Sequence, residues 1–312
     1  MKKTAVLVGT MGGPKGLGDV APFLFRLFND KAILGVPQPL RCCLAGLITL
    51  MRFREARKNY AQIGGGSPIL ANTRAQAQAL EEALNRRGDG LYKVFVGMSY
   101  SPPFVWEAVV DIKQFDPDKM VLLPLYPQFS TTTTGSFLKE AQDVFRQERI
   151  SCPLKTIDSF WANDGFLGAI SENVQKMLGE ESNPFVIFSA HGLPEKIVRR
   201  GDPYPVSCEK TARKLAEWIG LKEENWCLAY QSRVGPVRWI GPCLEEVVLD
   251  QSRAKRPLVV IPLSFVCEHV ETIGELGVQV RQKAEEAGCP AYFLAPTVGC
   301  SPRFIEGLAS II

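Results

Sequence analysis

The sequence predicts an α/β protein made of two similar Rossmann-like domains, each with a parallel sheet flanked by helices. Three observations predict this fold: nearly continuous apolar runs, helix-like stretches that alternate with them, and an even division of the runs between the two halves of the chain. Apolar runs of this kind are typical of strands buried on both faces of a parallel sheet. Their alternation with helices indicates βαβ units.

The first half of the chain contains three apolar runs, each ended by glycine, proline or a polar residue. They are TAVLVGTMGGP (4–14), KVFVGMSYSPP (93–103) and MVLLPLYPQFS (120–130). The helix-like stretches here are NTRAQAQALEEALNRRG (72–88) and SFLKEAQDVFRQER (136–149). We place an N-terminal domain over residues 1–160.

The second half repeats this organisation. Its apolar runs are FVIFSAHGLP (185–194), CLAYQSRVGP (227–236) and LVVIPLSFVCEH (258–269), and its helix-like stretches are CEKTARKLAEWIG (208–220) and GVQVRQKAEEAG (277–288). We place a C-terminal domain over residues 161–312. Because ligands of open α/β sheets bind beyond the carboxyl ends of the strands, we expect the site in a cleft between the two domains.

The composition excludes several classes of protein. Of the 312 residues, 46% are hydrophobic and 22% are charged, as in a folded globular protein, and a net charge of +3 is too small to indicate nucleic-acid binding. The nine cysteines are scattered without a C-x-x-C pair, which favours reduced thiols in the cytoplasm. The first apolar run breaks into glycine and proline, so it resembles a strand rather than a signal peptide, and we expect no export.

One apolar segment has two interpretations. CCLAGLITLM (42–51) lies between Arg41 and Arg52 and is too short to span a bilayer. Its basic flanks suit a position at a membrane interface, whereas the alternative is a buried helix.

The glycine-rich segments do not indicate a nucleotide site. GTMGGPKG fits neither G-x-G-x-x-G nor G-x-x-x-x-G-K-[ST], and IGGGSP (63–68) does not follow a predicted strand. Such glycines either let the backbone approach a large flat ligand or hold turns with positive φ, and the residues alone leave this choice open.

The chain has only two histidines, and each lies at a predicted strand end. His191 has small neighbours and is either structural or functional. His269 belongs to CEHVETIGELG, in which Glu271 and Glu275 are four residues apart and would share a helix face. Their mutual repulsion predicts a bound cation or proton, and the alternative is a solvated surface helix. Histidine with glutamate can bind a divalent metal or relay protons, but the ligands are too few for a tightly held zinc.

Six motifs together resemble the ferrochelatase family, whose members insert ferrous iron into a porphyrin. They are IGGGSP, LYPQFSTTTTGS (125–136), FSAHGLP (188–194), RGDPYP (200–205), YQSRVGP (230–236) and CEHVETIGELG (267–277). The resemblance extends from about residue 4 to the C-terminus. It implies a two-domain chelatase-type fold that clamps a porphyrin in the cleft, and insertion of Fe²⁺ into protoporphyrin IX as the last step of haem biosynthesis.

The resemblance also implies roles for individual residues. His191 and Glu271 would be catalytic, and together with Glu275 they would handle the metal. The porphyrin would be bound by Met11, Ser67, Met98, Tyr126, Ser130, Arg233 and Trp239. Residues 41–52 match the family's membrane-facing lip, which implies a cytoplasmic enzyme peripheral to the inner leaflet.

This sequence departs from the family pattern at several positions. Ala61-Gln62 replaces a basic pair that some relatives carry, and Ser99 replaces the arginine of G-x-R-Y, so the anchor of the porphyrin propionates stays open, with Arg52, Arg54 and Arg57 as candidates. Because Cys289 and Cys300 are isolated, we expect no iron–sulfur cluster and no other tightly bound cofactor; Fe²⁺ is a substrate.

The resemblance leaves rival functions. The substrate could instead be coproporphyrin III, which has four propionates and would call for more basic residues. The chain could also be a non-catalytic tetrapyrrole- or haem-binding protein, although retention of His191 and Glu271 favours an enzyme. A further alternative is a cobalt chelatase, which the motifs fit less well. The expected partners are porphyrin and iron, without nucleic acid, in a monomer or a homodimer.

Overall fold

The computed structural model describes residues 2–178, 184–232, 235 and 237–312. The chain divides into two compact units. The first comprises Met1–Tyr126, Ser130–Ser159 and Ala309–Ile312, and the second comprises Pro127–Phe129 and Phe160–Leu308. Two short segments, 127–129 and 309–312, thus belong to the unit opposite to the one that a single division near residue 160 assigns them.

The first unit contains one parallel sheet with helices around it. Its strands are β1 (Lys3–Thr10), β2 (Leu91–Met98), β3 (Lys119–Pro124) and β4 (Leu154–Thr156), and its helices are α1 (Val20–Phe28), α2 (Gln38–Gln62), α3 (Ile69–Asn85), α4 (Val105–Phe115) and α5 (Thr134–Gln147). The strand order is β2-β1-β3-β4. Strand β1 is central, so its side chains are buried on both faces, and Leu7 packs in a core with Val109 and Phe137.

The second unit repeats the same topology. Its strands are β5 (Phe185–His191), β6 (Trp226–Gln231), β7 (Leu258–Pro262) and β8 (Tyr292–Leu294), and its helices are α6 (Asp164–Leu178), α7 (Glu195–Val198), α8 (Tyr204–Ile219), α9 (Leu244–Arg253), a π-helix (Val270–Val280), α10 (Arg281–Glu286) and α11 (Pro302–Ser310). The order β6-β5-β7-β8 is the order of the first sheet. The predicted α/β fold with two similar parallel sheets is confirmed.

Helix α2 contains the apolar segment 42–51. Only Ala45 and Thr49 of that segment are buried, while Leu47, Leu50 and Met51 are 54%, 76% and 74% exposed. A buried helix is therefore the wrong interpretation of this segment. Among the residues that the structure describes, no helix is both long enough and apolar enough to cross a bilayer.

Candidate active site

His191 is the last residue of β5, the strand between β6 and β7 in the second sheet. Parallel pairing places it beside Gln231, the last residue of β6, and the N–H of Gly192 donates to the Gln231 carbonyl at 2.9 Å. The Nδ1 atom of His191 lies 2.6 Å from the Gly192 carbonyl oxygen. A carbonyl can only accept, so Nδ1 carries the hydrogen, and in the neutral ring Nε2 is left as the proton acceptor.

Glu271 is the second residue of the π-helix and lies between the two histidines. Its Oε1 is 3.7 Å from His191 Nε2, and its Oε2 is 3.7 Å from His269 Nε2. Burial opposes ionisation, but the charge of His191, followed by the hydrogen bond and charge of His269, outweighs it and lowers the pKa of Glu271 to about 2. Glu271 is thus an ionised carboxylate that stabilises a positive charge on either imidazole.

Glu275 lies four residues beyond Glu271 and close enough to feel its charge. Its Oε1 accepts the backbone N–H of Ser232 at 2.9 Å, and its Oε2 accepts the Ser232 hydroxyl at 2.5 Å and Gln231 Nε2 at 3.2 Å. Burial, and next the negative charge of Glu271, raise the pKa of Glu275 despite the Ser232 hydrogen bonds. Two neighbouring carboxyl groups with pKa values shifted in opposite directions are suited to different acid–base tasks.

His269 received no role from the family resemblance, although the sequence places it at a predicted strand end near Glu271. It precedes the π-helix, is buried, and its ring packs against Phe265 with the centroids 4.6 Å apart. Its Nδ1 lies 3.2 Å from the Cys267 carbonyl oxygen, which directs Nε2 toward Glu271. The signal in the sequence was the spacing H-x-E of His269 and Glu271. Two residues at this spacing come into contact only in some backbone conformations, so the spacing alone does not predict the contact.

Glu268 anchors the start of the π-helix rather than joining the acidic pair. Its Oε2 accepts the Thr272 hydroxyl at 2.5 Å, and its Oε1 accepts both the backbone N–H and the hydroxyl of Thr297 at 2.8 Å. The Thr272 hydroxyl also accepts the N–H of His269 at 3.0 Å. Glu268 therefore fixes the backbone from which His269 and Glu271 extend.

Replacing Glu268 by glutamine is expected to lower the free energy of unfolding by about 1–3 kcal/mol, because the amide NH₂ would face a donor that now bonds a carboxylate. Urea denaturation measures this loss. Glu285→Gln, an exposed position on α10, is the matched control and is expected to unfold as the wild type does. Equal midpoints for Glu268→Gln and the control would contradict the anchoring role.

The other predicted site residues lie in both units. Met98 ends β2 and is fully buried, with its sulfur accepting the Thr10 hydroxyl at 3.1 Å, whereas Met11 is partly exposed. Ser130 is buried and its hydroxyl shares a 2.9 Å hydrogen bond with that of Thr132, while Tyr126 is half-buried. Their proposed contacts with a porphyrin stay predictions.

The two glycine-rich segments pack against each other. The N–H of Ser67 donates to the Pro14 carbonyl at 2.8 Å, and the Ser67 hydroxyl accepts the N–H of Ile69 at 3.3 Å. A side chain at Gly66 would place its Cβ 2.3 Å from the Lys15 carbonyl oxygen, so only glycine permits this approach. Close backbone packing is thus one reason for these glycines.

The last two predicted residues belong to the segment that follows β6. Arg233 lies outside the described residues. Trp239 is half-buried and pairs with Pro194 through an antiparallel bridge, so the segment after β6 packs along the one after His191. The N–H of Glu195 donates to the Arg238 carbonyl at 2.9 Å within the same pairing.

The arrangement provides an acid–base set rather than a closed metal cage. Across the part of the chain that is described, no three His, Cys, Asp or Glu side chains converge closely enough to hold a metal ion. His191 and Glu271 offer an imidazole nitrogen and a carboxylate, both ligand types that first-row divalent metals accept. The set can accept a proton at His191 and stabilise the charge at Glu271.

Comparison with known proteins gives one consistent family. The family model Ferrochelatase matches residues 3–312. The ferrochelatase of Pelagibacter ubique (strain HTCC1062) is 40% identical over 311 residues, covering 99% of this chain and 90% of that protein. The ferrochelatase of Caulobacter vibrioides (strain NA1000 / CB15N) is 42% identical over 316 residues, covering 100% and 90%.

Solved structures share the architecture at low sequence identity. SirB from Bacillus subtilis with Fe³⁺ superposes with a TM-score of 0.58 at 11% identity, covering 99% of this chain and 94% of that one. CbiX, the terminal enzyme for biosynthesis of sirohaem in denitrifying bacteria, gives a TM-score of 0.51 at 13% identity, covering 99% and 97%. At such identities the likeness shows the fold alone.

Proposed function

The chain belongs to the ferrochelatase family, and from this premise we propose that it inserts Fe²⁺ into protoporphyrin IX to form protohaem, the last step of haem biosynthesis. The observation that carries the proposal is the 3.7 Å approach of His191 Nε2 to an ionised Glu271. A protein that only binds a tetrapyrrole needs no proton acceptor paired with a carboxylate, whereas metalation must remove two protons from the ring.

The proposed reaction is an exchange of one Fe²⁺ for two pyrrole protons, without oxidation or reduction. Each N–H bond breaks with its electron pair left on nitrogen, and that pair binds the iron. His191 Nε2 accepts the two pyrrole protons one after the other, passing on the first before it takes the second, and the imidazolium formed each time is stabilised by Glu271. Glu275, whose pKa is raised, is the next group to receive the proton on its way to water.

The iron is a substrate in this scheme. We assign His191, Glu271 and Glu275 to contacts that the iron makes in succession rather than all at once, because imidazole nitrogen and carboxylate oxygen both suit a divalent first-row metal. We also propose that the enzyme works without an iron–sulfur cluster or any other resident cofactor. Assays of iron and acid-labile sulfide in the purified protein test that part.

We assign seven residues to porphyrin binding. They are Met11, Ser67, Met98, Tyr126, Ser130, Arg233 and Trp239. Because Met98 is fully buried, we propose that it supports the turn at Thr10–Gly12. Its side chain packs closely against Gly12: a Cβ added to this glycine would lie 3.1 Å from the Cβ of Met98. Met11, in the same turn and partly exposed, is the residue proposed to contact the ring.

We place the enzyme in the cytoplasm, peripheral to the inner leaflet of the membrane, as a monomer or a homodimer. The exposed apolar side chains Leu47, Leu50 and Met51 on α2 support the membrane contact, since exposed apolar residues beside basic ones suit a membrane interface.

Anaerobic Fe²⁺ insertion, followed by the loss of porphyrin fluorescence and the appearance of the haem spectrum, tests the proposal with protoporphyrin IX and coproporphyrin III in parallel. We expect turnover with protoporphyrin IX. Faster turnover with coproporphyrin III would replace the substrate while keeping the reaction. Tight quenching of either porphyrin without metalation would leave a binding protein and overturn the enzyme.

A further inference from the structure

A buried chain of hydrogen bonds lies behind the acid–base set. Ser189 precedes His191 by two residues in β5, so both side chains lie on the same face of the sheet. The Ser189 hydroxyl is 2.7 Å from Gln231 Oε1, and Gln231 Nε2 is 3.2 Å from Glu275 Oε2. Ser189 is fully buried and Gln231 is 2% exposed, so bulk water does not compete for these bonds. One amide therefore joins the interior of β5 to the π-helix.

The strand register explains how Gln231 reaches Ser189. Strands β5 and β6 pair with Ser189 beside Ala229 and with His191 beside Gln231. Gln231 is therefore the diagonal neighbour of Ser189 on the same face, within reach of a long side chain. Ala229, directly beside Ser189, has only a methyl group, so no larger side chain of β6 separates the two polar groups.

The chemistry of the end groups fixes the direction of each bond. An ionised carboxylate only accepts hydrogen bonds, so the NH₂ group of Gln231 must face Glu275. The amide oxygen then faces Ser189, whose hydroxyl must donate. Ser189 is the partner of this oxygen among the residues that the structure describes, and a buried acceptor that loses its partner is costly. Without the hydroxyl, the amide would turn away and release Glu275 Oε2.

We propose that Ser189 is a positioning residue for iron insertion: its hydroxyl holds the Gln231 amide, and the amide holds the Glu275 carboxylate where it meets the iron. A hydroxyl inside the buried run FVIFSA adds little to an apolar core, because burying a polar group is costly unless it is hydrogen-bonded. The inference rests on the proposed function, which gives Glu275 its contact with iron. Ser189 acts through Gln231 rather than on the metal itself.

Anaerobic metalation with Fe²⁺ and protoporphyrin IX tests this role. Ser189→Ala is expected to raise the KM for Fe²⁺ about tenfold, as the loss of one hydrogen bond that supports a charged group predicts, while the KM for porphyrin stays at its wild-type value. Gln231→Leu is expected to raise the KM for Fe²⁺ at least as much. Ser189→Ala/Gln231→Leu should add nothing further, because both changes break the same chain of bonds. Additive effects, or an unchanged KM for Fe²⁺ in Ser189→Ala, would overturn the proposal.

Ser252→Ala is the control for a buried serine. Ser252 lies on α9, is fully buried, and its hydroxyl has no hydrogen-bond partner within the described part of the chain, so this variant is expected to keep the wild-type KM for Fe²⁺. An equal rise in the control would overturn the specific role of Ser189.

A second measurement reads the chain of bonds without any turnover. The side-chain NH₂ protons of Gln231, identified by NMR as the resonance pair that Gln231→Leu lacks, are expected to exchange with D₂O roughly tenfold faster in Ser189→Ala than in the wild type. Equal exchange rates would show that the hydroxyl does not hold the amide and would overturn the inference. A wild type that metalates no porphyrin would instead overturn the proposed function, whatever the exchange rates are.

Discussion

Replacing His191 by alanine is expected to reduce Fe²⁺ insertion by about 10²–10⁴-fold while leaving porphyrin binding measurable, because the variant removes a proton acceptor and not the bulk of the site. The Nε2 atom faces the ionised Glu271, so the imidazolium formed during proton transfer has a charge partner at 3.7 Å. Single-turnover metalation under anaerobic conditions, with fluorescence quenching as the measure of binding, separates the two effects.

Two further variants identify the cause of that loss. His191→Asn can keep a hydrogen bond to the Gly192 carbonyl but has no basic nitrogen, so it is expected to be as slow as His191→Ala. Imidazole added to His191→Ala is expected to restore part of the rate. Metalation at the wild-type rate in His191→Ala would remove this residue from the chemistry, and weak porphyrin binding in both variants would make its role one of substrate positioning.

The long buried strands were predictable from the sequence alone. Strand β1, for example, is buried along nearly its whole length, so the run around Leu7 has no polar alternation to obscure it. Strands β4 and β8 were missed because they have three residues each, too few for any periodicity, and β4 is exposed at every position. Three strands were therefore predicted in each half of the chain, whereas each sheet has four.

The π-helix shows where helical periodicity is insufficient. The helix-like stretch was predicted over residues 277–288. Before it, Glu271 and Glu275 were expected to share a helix face, but no helix start was assigned, because Gly274 and Gly277 weaken the pattern. In the structure the helical segment begins at Val270, and its i→i+5 bonding is rare and concentrated at functional sites. The bonds of Glu268 with Thr297 and of Ser232 with Glu275 hold the segment, and they join positions 29 and 43 residues apart, which no local window of sequence shows.

The sequence predicted which residues belong to the site, but only some of the contacts between them. Glu271 and Glu275 were expected to share a helix face, and Glu275 does feel the charge of Glu271. Gln231 and Ser232 were visible in the sequence as part of a motif, yet their bonds to Glu275 join positions more than 40 residues apart. Such contacts follow from the order of strands in the sheet, and this order cannot be read from a single sequence.

Glu140 on α5 is expected to make the stability of the protein depend on pH. Burial is the main cause that raises its pKa from 4.5 to about 7; the charge of Asp30 adds to the rise, and a hydrogen bond from Ser99 opposes it. Below pH 4.5 the carboxyl is protonated in both the folded and unfolded states. Between pH 4.5 and 7 the folded state holds the extra proton, so stability falls as the pH rises through this window.

Glu140→Gln keeps the shape of the side chain without the charge. It is therefore expected to unfold like the wild type near pH 4 and to be about 1–3 kcal/mol more stable than the wild type at pH 8. Urea denaturation at the two pH values measures the difference. Glu217→Gln, an exposed carboxylate on α8, is the matched control and is expected to show no such change with pH.

The cause of the raised pKa can be tested at Ser99, where the family pattern G-x-R-Y has an arginine. An arginine beside Glu140 would supply the cation that this buried carboxyl lacks among the groups acting on it. Ser99→Arg is thus expected to lower the pKa of Glu140 and to abolish the gain of Glu140→Gln at pH 8. An equal gain at pH 4 and pH 8 in the wild-type background would show that packing, not a buried charge, distinguishes glutamine from glutamate at this position.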